Sequence, residues 1–245
     1  MRAYVHDFVF GIYPYICASV FLIGSLIRFD REQYTWRSGS SQLLRARQLR
    51  WGSNLFHIGI LFLFFGHTVG MLTPHFAYAW LIDAGGKQVL AMVSGGIAGL
   101  ACFVGLTMLL HRRLSDPRIR ATSSTMDIAI LAILWFQLVL GLVSIAFSAQ
   151  HLDGSTMIVL AEWAQHIVTF RLDAAALVAD VPWVFKLHMA LGMTIFLLFP
   201  FSRLVHVWSG FATVSFLFRP NQLVRGRRLN VPAGHNQPSQ PGAGV

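Results

Sequence analysis

Long apolar runs alternate with short polar or basic segments along almost the whole chain. A helix that crosses the hydrocarbon core of a membrane needs roughly 20 predominantly apolar residues, and five runs are long enough. Each run is nearly free of charge in its middle, so the pattern predicts an all-α membrane protein, a bundle of five transmembrane helices. We call these helices spans 1 to 5, and they are predicted at about 8–28, 53–73, 88–111, 126–149 and 183–208.

The composition supports a membrane bundle and leaves little room for a soluble domain. The chain of 245 residues is 55% hydrophobic and 12% charged, a balance that excludes a soluble globular domain with an ordinary surface. Residues 1–228 are predicted to form one transmembrane domain. Within it, the apolar spacing of 155–170 predicts a helix along the membrane surface. The end of the chain, 229–245, is rich in Gly, Pro, Gln and Asn, which predicts a disordered tail.

The net charge of +9 follows the order of the spans and does not gather into a nucleic-acid-binding patch. Arginines crowd the segments between spans 1 and 2, between spans 3 and 4, and after span 5. The opposite connections hold only Lys87 and Arg171. Because cytoplasmic loops of membrane proteins carry the excess of Lys and Arg, this alternation predicts an N-terminus outside and a C-terminus in the cytoplasm. It also argues against a nucleic-acid partner.

Four histidines lie inside the apolar runs, two in span 2 and two in span 5: His57, His67, His188 and His206. An ionisable side chain in hydrocarbon is costly, so an intramembrane histidine is by default a hypothesis of function. Two pairs on two helices that can face each other indicate bis-histidine ligation of two metal centres, with iron haem as the natural candidate. A lone intramembrane histidine is as often a packed, hydrogen-bonded residue, but two depth-matched pairs favour ligation.

Helix geometry decides which histidines can share a haem. His57 and His67 are ten residues apart, about 15 Å along an ideal helix. His188 and His206 are eighteen residues apart, about 27 Å along one face. Each haem must therefore bridge spans 2 and 5, which run antiparallel. This pairs His57 with His206 near the cytoplasm, and it pairs His67 with His188 near the outside. The two separations differ by about 12 Å, and a bend at Pro200 absorbs only part of that difference.

The ligand type and the nearby arginines add to the haem hypothesis. Two neutral imidazoles fill both axial positions of the iron, which suits electron transfer better than oxygen binding. Haem also carries propionates, and arginines near the cytoplasmic ends of the spans could pair with them. These are Arg112, Arg113 and Arg203. The alternative role of the three arginines is orientation of the chain by positive charge alone.

A series of short motifs makes the sequence similar to a known family. Between about residues 8 and 225 the chain contains IYPYI, QYTWR, SNLFHIGIL, GMLTPH, RRL-x-x-PR-x-RAT, FSAQH-x-DGS, LGMT-x-FLLFPFSRL-x-H-x-W and QLVR. With these motifs it closely resembles the gamma subunit of respiratory nitrate reductase, a di-haem membrane cytochrome b. The resemblance implies two haem b groups, the inner one on His57 and His206. It implies that the outer one is held by His67 and His188, in agreement with the topology.

The resemblance also implies a quinol site near the outer haem. Its lysine matches Lys87, just before span 3, and Gly66 and His67 border the same region. The implied activity is quinol oxidation, with protons released outside and electrons passed through two b haems to a cytoplasmic iron–sulfur subunit. Nitrate would be reduced on a separate molybdenum subunit, and the quinol pool and lipid would be the membrane partners. The implied location is the bacterial inner (cytoplasmic) membrane, in anaerobic respiration or nitrate assimilation.

Two other functions stay open on the sequence alone. Di-haem cytochrome b subunits also serve quinone-linked complexes of the formate dehydrogenase, hydrogenase and sulfur-metabolism types. A haem-free proton-coupled transporter could use intramembrane histidines as proton relays. The broken half-helices and internal symmetry of many transporters are not evident here, which disfavours the transporter. The haem content separates the transporter from the cytochromes, and the partner subunit separates the cytochromes from one another.

Overall fold

A computed structural model of the protein describes residues 2–31, 44 and 46–208. Within these ranges every regular element is a helix and no strand occurs, which confirms the predicted all-α class. Five helices are long and apolar enough to cross a membrane, so the predicted number of spans is also confirmed. Three predictions lie outside the described residues: the disordered tail at 229–245, the basic segment after span 5, and most of the basic segment between spans 1 and 2.

Four of the five spans have bounds close to the predicted ones. The spans are Ala3–Arg31, Arg47–Leu72, Ala84–Ser115, Thr125–Ser148 and Trp183–Phe201. The short connecting helices are His75–Tyr78, Pro117–Ala121 and Ala174–Leu177. Between spans 4 and 5 lies a longer helix, Ser155–Val168, where the spacing predicted one, and we call it the surface helix. Span 5 departs from the prediction, since its helix stops before His206.

Capping residues fix where spans 3 to 5 begin. The Asp83 carboxylate accepts a hydrogen bond from the backbone N–H of Gly86 in the first turn of span 3. Span 4 starts with a capping box, in which the side chains of Ser124 and Asp127 each accept from the backbone N–H of the other. Pro182 precedes span 5 with φ −53° and ψ 144°, outside the helical region, and makes no side-chain cap hydrogen bond. These caps set the depth of the side chains in the first turns of their spans.

The surface helix is attached to the bundle through hydrogen bonds to two backbone carbonyls of other helices. Span 1 contains a π-helical turn, Phe8–Ile12, which interrupts the regular α-helical hydrogen-bond ladder. The Trp163 indole donates to the carbonyl oxygen of Phe10 in this turn, at 3.0 Å. The Gln165 amide donates to the carbonyl oxygen of Met71, near the end of span 2, at 2.9 Å. The surface helix thus ties span 1 to span 2.

Spans 2 and 3 form a close antiparallel pair because glycines lie at their contact. A Cβ placed on Gly59 would lie 2.6 Å from the Cβ of Cys102 and 2.7 Å from the carbonyl oxygen of Ala98. A Cβ on Gly105 would lie 2.7 Å from the carbonyl oxygen of Gly52. Only residues without side chains allow two backbones to approach this closely. The contact fixes the relative depth of span 2, which carries two of the histidines, and span 3, which carries Lys87.

We expect Gly59→Ala to destabilise the bundle by about 1–3 kcal/mol, because the added methyl group overlaps backbone atoms that cannot move aside. The thermal unfolding midpoint of the purified protein in detergent measures the loss. Gly95→Ala is the matched control, since a Cβ at Gly95 of span 3 meets no atom within 4 Å. Equal unfolding midpoints for the two variants would contradict the proposed close contact of spans 2 and 3.

Span 5 is interrupted near its C-terminal end, so the prediction of one helix over 183–208, bent at Pro200, holds only as far as Leu198. The α-helix ends at Leu198, and 3-10 turns follow at Phe199–Phe201 and Arg203–Val205. Between these turns Ser202 is extended, with φ −116° and ψ 177°. Pro200 lacks the N–H that an α-helix requires, which explains why the helix stops there. Because the helix is interrupted, the ideal rise of about 27 Å between His188 and His206 does not apply. The predicted difference between the histidine separations of spans 2 and 5 therefore loses its basis.

Span 1 stabilises this break by supplying the missing hydrogen-bond donors. The Arg28 guanidinium donates through one nitrogen to the carbonyl oxygens of Pro200 and Ser202, at 2.6 and 2.9 Å. Gly24 lies one turn earlier, where a Cβ would lie 2.8 Å from the Pro200 ring. Backbone groups freed inside a membrane must be satisfied by neighbouring helices. Arg28 does this for the segment that leads to His206.

Candidate functional site

The structure brings the four intramembrane histidines together as two pairs. The ring centroids of His57 and His206 are 6.1 Å apart. Those of His67 and His188 are 6.3 Å apart. These are the pairs that antiparallel packing of spans 2 and 5 predicts, and the break in span 5 lets both form at once. His57 and His67 are exposed along span 2, whereas the partners on span 5 are half-buried. The role of the four as haem ligands stays a prediction.

The spacing of each pair fits a metal between two imidazoles. A metal–imidazole bond is about 2 Å long and the ring centroid lies about 1 Å further on, so centroids on opposite sides of one iron are about 6 Å apart. The observed separations are 6.1 and 6.3 Å. No group of three or more His, Cys, Asp or Glu side chains among residues 2–31, 44 and 46–208 could hold a metal ion. A bis-histidine haem needs only two protein ligands, which each pair supplies.

Three of the four imidazoles are oriented as metal ligands usually are. A ligand histidine commonly uses its second ring nitrogen to donate to a backbone carbonyl, which fixes the ring and its tautomer. The Nδ1 atoms lie within hydrogen-bonding distance of carbonyl oxygens as follows: His57 to Ser53 at 2.7 Å, His67 to Leu63 at 2.8 Å, and His206 to Arg203 at 2.6 Å. With Nδ1 engaged as a donor, Nε2 is the nitrogen left for iron. His188 differs, because its Nδ1 is buried and has no partner among the described residues.

Lys87 lies in the first turn of span 3, with its ammonium group turned inward. Its Nζ is buried, lies 3.5 Å from the centroid of the Tyr78 ring, and has no hydrogen-bond partner among the described residues. Burial raises the pKa of the Tyr78 phenol, so the ring beneath the ammonium stays neutral. From the register of spans 2 and 3 at Gly59, Lys87 lies about one to two turns nearer the predicted outer end than His67.

The backbone at Lys87 is held by its neighbour Gln88, and the surface of span 2 beside His67 is open. The neighbouring Gln88 is buried and donates to the carbonyl oxygens of Ser148 and His151, at 2.9 and 2.7 Å. These bonds tie the start of span 3 to the end of span 4. On span 2, a Cβ placed on Gly66 would meet no atom within 4 Å. The surface beside His67 is therefore open to a flat ligand.

The three arginines predicted near haem propionates lie at the other end of the bundle. Arg112 is buried and donates to the carbonyl oxygen of Leu44 at 2.5 Å. Arg113 and Arg203 both pair with the Asp127 carboxylate of span 4, at 3.4 and 3.6 Å. Asp127 thus joins span 3 to the segment just before His206. A contact between any of the three and a propionate stays a prediction.

Comparison with known proteins decides the family of this chain. The family model described as nitrate reductase gamma subunit matches residues 6–227. The chain belongs to the nitrate reductase gamma subunit family. It is 55% identical over 228 residues to respiratory nitrate reductase 2 gamma chain of Escherichia coli (strain K12), covering 93% of this chain and 100% of that protein. It is 54% identical over 226 residues to respiratory nitrate reductase 1 gamma chain of the same strain, covering 91% and 99%.

A more distant gamma chain gives the same result. Nitrate reductase gamma chain of Bacillus subtilis (strain 168) is 39% identical over 202 residues, which cover 82% of this chain and 90% of that protein. The protein is therefore a subunit of a nitrate reductase, an oxidoreductase, and its five apolar helices place it in a membrane. The family match of this gamma subunit includes spans 2 to 5, span 1 from residue 6 onward, the two histidine pairs and Lys87.

Sequence reasoning missed the structural roles of two residues of the gamma subunit. Arg28 reads as one more basic residue at the cytoplasmic end of span 1, although it hydrogen-bonds the break in span 5. Gln137 is the only amide of span 4, and it contacts His188. A lone amide in an apolar span is itself a signal, because an uncompensated polar group in hydrocarbon is costly. Arg28 gives no such signal in the sequence, because it is one of several arginines at the end of span 1 and in the basic segment between spans 1 and 2.

We expect Arg28→Leu to lower the thermal stability of the gamma subunit and to disturb the site at His206. The change leaves the carbonyls of Pro200 and Ser202 without this donor. Each buried carbonyl that loses its hydrogen bond lowers the free energy of unfolding by about 1–3 kcal/mol. Unfolding midpoints measure the first effect, and the absorbance spectrum of the haem predicted at His57 and His206 measures the second. Arg31→Leu is the matched control, as Arg31 is exposed in the last turn of the same helix. If the two variants behave alike, Arg28 does not hold the break.

Proposed function

We propose that this gamma subunit is the quinol-oxidising cytochrome b of a nitrate reductase complex in the bacterial cytoplasmic membrane. The observation that carries the proposal is the presence of two imidazole pairs, 6.1 and 6.3 Å between centroids, at different depths of one apolar bundle. The family match supports a nitrate reductase over a complex of the formate dehydrogenase, hydrogenase or sulfur-metabolism type. The names of the Escherichia coli relatives, which are respiratory enzymes, favour respiration over nitrate assimilation.

Each histidine pair would hold one haem b. His57 and His206 would ligate the inner group through Nε2, and His67 and His188 would ligate the outer one. When bound, the two haems supply one-electron carriers between the quinol and an iron–sulfur partner subunit. A haem held by two imidazoles would serve electron transfer and not oxygen binding.

Lys87 would bind the quinol. Its buried Nζ lacks a hydrogen-bond partner among the described residues, so a quinol oxygen would satisfy a donor that is otherwise costly to bury. The neutral Tyr78 ring holds the ammonium in place through a cation–π contact. The open surface at Gly66 gives a flat quinol ring access from the lipid, beside His67. Oxidation of one quinol to quinone releases two protons and two electrons.

The direction of the charges follows from the proposed orientation. Lys87 lies at the end of the bundle that the arginine distribution predicts to be outside, so the quinol protons leave there. Electrons move toward the cytoplasmic end, where an iron–sulfur subunit would accept them and pass them to a molybdenum subunit that reduces nitrate. Each charge carried across works against roughly 2.3 kcal/mol per 100 mV of membrane potential. The redox drop from quinol to nitrate must exceed that cost.

The test is to purify the chain with its partners from detergent-solubilised membranes and to measure haem and activity together. We expect two protohaems per gamma subunit by pyridine haemochrome, reduction of both by a quinol analogue, and reoxidation by nitrate. A colourless, folded preparation would refute the cytochrome assignment and revive the transporter. Two haems that a quinol analogue cannot reduce would keep the cytochrome and remove the quinol site.

A further inference from the structure

We propose that Gln137 of span 4 is a positioning residue for His188, and that it sets the reduction potential of the outer haem. The inference rests on the proposed function, because it assumes that His67 and His188 hold a haem. It goes further by assigning a role to a residue that lies on neither of the two ligand-bearing helices. Gln137 acts through His188, so it is not itself a ligand.

Gln137 contacts both the backbone and the ring of His188. Its Nε2 donates to the carbonyl oxygen of His188 at 3.0 Å and lies 3.3 Å from the ring atom Nε2. One turn further along span 4, a Cβ placed on Gly141 would lie 3.1 Å from Cε1 of the same imidazole. Residues four apart share one helix face. Span 4 therefore presents an amide and a flat backbone patch to the His188 ring.

Two buried polar atoms in this contact are left over, and they complement each other. The His188 Nδ1 and the Gln137 Oε1 are both buried and have no hydrogen-bond partner among the described residues. The other three intramembrane histidines engage Nδ1 with a carbonyl oxygen of their own segment. His188 lacks that local partner. In the structure the Gln137 amide nitrogen lies against Nε2 of His188. Iron on this Nε2 would displace the amide N–H from it, and a turn of the amide would then bring its unpartnered Oε1 to the remaining donor, the His188 Nδ1–H.

The hydrogen bond would have an electronic consequence as well as a geometric one. An acceptor on the second ring nitrogen fixes the ligand's orientation and makes the imidazole a stronger base. A more basic ligand stabilises ferric over ferrous iron, so this bond lowers the reduction potential. Loss of the Gln137 acceptor should therefore raise the potential of the outer haem and leave the inner haem unchanged.

The experiment compares Gln137→Leu, Gln137→Glu and Ser53→Ala in the purified complex, by redox titration and by electron paramagnetic resonance of the ferric haems. We expect Gln137→Leu to raise the outer-haem midpoint by about 59 mV, a tenfold change in the ferrous-to-ferric ratio. Gln137→Glu keeps an acceptor oxygen on a side chain of the same length, so its midpoint should return to the wild-type value or below. Ser53→Ala removes a hydroxyl 3.1 Å from Nδ1 of His57 but keeps the carbonyl at 2.7 Å, so the inner haem should hardly change.

The outcomes separate this inference from the proposed function. If the wild-type complex holds two haems and Gln137→Leu leaves the midpoint and g-values of the outer one unchanged, the inference is wrong and the proposed function stands. If Gln137→Leu loses the outer haem, retention in Gln137→Glu supports the inference, and loss in both overturns it. A wild-type complex without an outer haem overturns both together.

Discussion

His67→Ala is expected to remove the outer haem, to keep the inner haem, and to abolish quinol-dependent nitrate reduction. The ring of His67 lies 6.3 Å from that of His188. Among residues 46–208 no second histidine with a contact to another histidine ring is available to replace His67 as the partner of His188, because His57 is already paired with His206. A haem that loses one axial imidazole is bound far more weakly, as metal affinity depends on the full ligand set. Haem content and a redox-difference spectrum of the purified complex measure the loss.

The same experiment tests the pairing. His188→Ala should remove the same haem as His67→Ala, and His57→Ala should remove the other. His111→Ala is the matched control, since His111 is exposed at the end of span 3 and should retain both haems. Activity with an artificial electron donor that bypasses the membrane subunit should survive in every variant, which shows that the nitrate-reducing partner is intact. If His57→Ala and His188→Ala deplete the same spectral component, the pairing is wrong.

Much of this arrangement follows from the sequence because membrane chemistry restricts the choices. A lipid environment admits only helices or closed barrels, so five apolar runs without strand periodicity leave a helical bundle. The order of the spans then fixes their directions, and directions fix which histidines share a depth. The sequence alone therefore pairs His57 with His206 and His67 with His188.

The break in span 5 could be predicted only in part, since it depends on residues far apart in the chain. Pro200 signals an interruption, but the extended residue at Ser202 and the turn before His206 need donors from elsewhere. Arg28 supplies them from 172 and 174 residues away. The ideal-helix estimate for span 5 therefore gave an incorrect histidine separation. Local sequence preference at Pro200 explains why the helix ends, whereas hydrogen bonds from Arg28 in span 1 stabilise the backbone conformation that follows.

Side-chain partners inside the bundle were the least predictable part. Apolar spans look alike from every side, so the sequence does not say that Gly59 meets Cys102 or that Gln137 faces His188. These contacts depend on helix rotation, which is set by the packing of small residues. Lys87 is a different case, because a single lysine at a helix start is normally solvated. Only its match to the family's motif pointed to the quinol, and its buried Nζ, which has no hydrogen-bond partner among the described residues, is consistent with that proposed role.

Lys87→Ala is expected to lower quinol oxidation by about tenfold to a hundredfold, the effect of losing one charge-assisted hydrogen bond of about 1.5–3 kcal/mol. Both haems should remain with unchanged midpoints, because Lys87 is about one to two turns away from His67 along the bundle. Steady-state kinetics with a quinol analogue, together with a redox titration, measure the two properties separately. This separation distinguishes a quinol-binding residue from one that supports the haem.

Two further variants make the Lys87 result decisive. Lys186→Ala is the matched control, because this second lysine lies in the first turn of span 5 and its Nζ donates to the carbonyl oxygen of Ala179 at 2.5 Å. It should oxidise quinol at the wild-type rate. Tyr78→Leu removes the ring beneath the Lys87 ammonium but leaves its charge, so it should raise KM for the quinol with a smaller loss than Lys87→Ala. If Lys87→Ala and Lys186→Ala have the same kinetics as the wild type, Lys87 does not contact the quinol. The quinol must then approach the open surface at Gly66 from a different side of span 2.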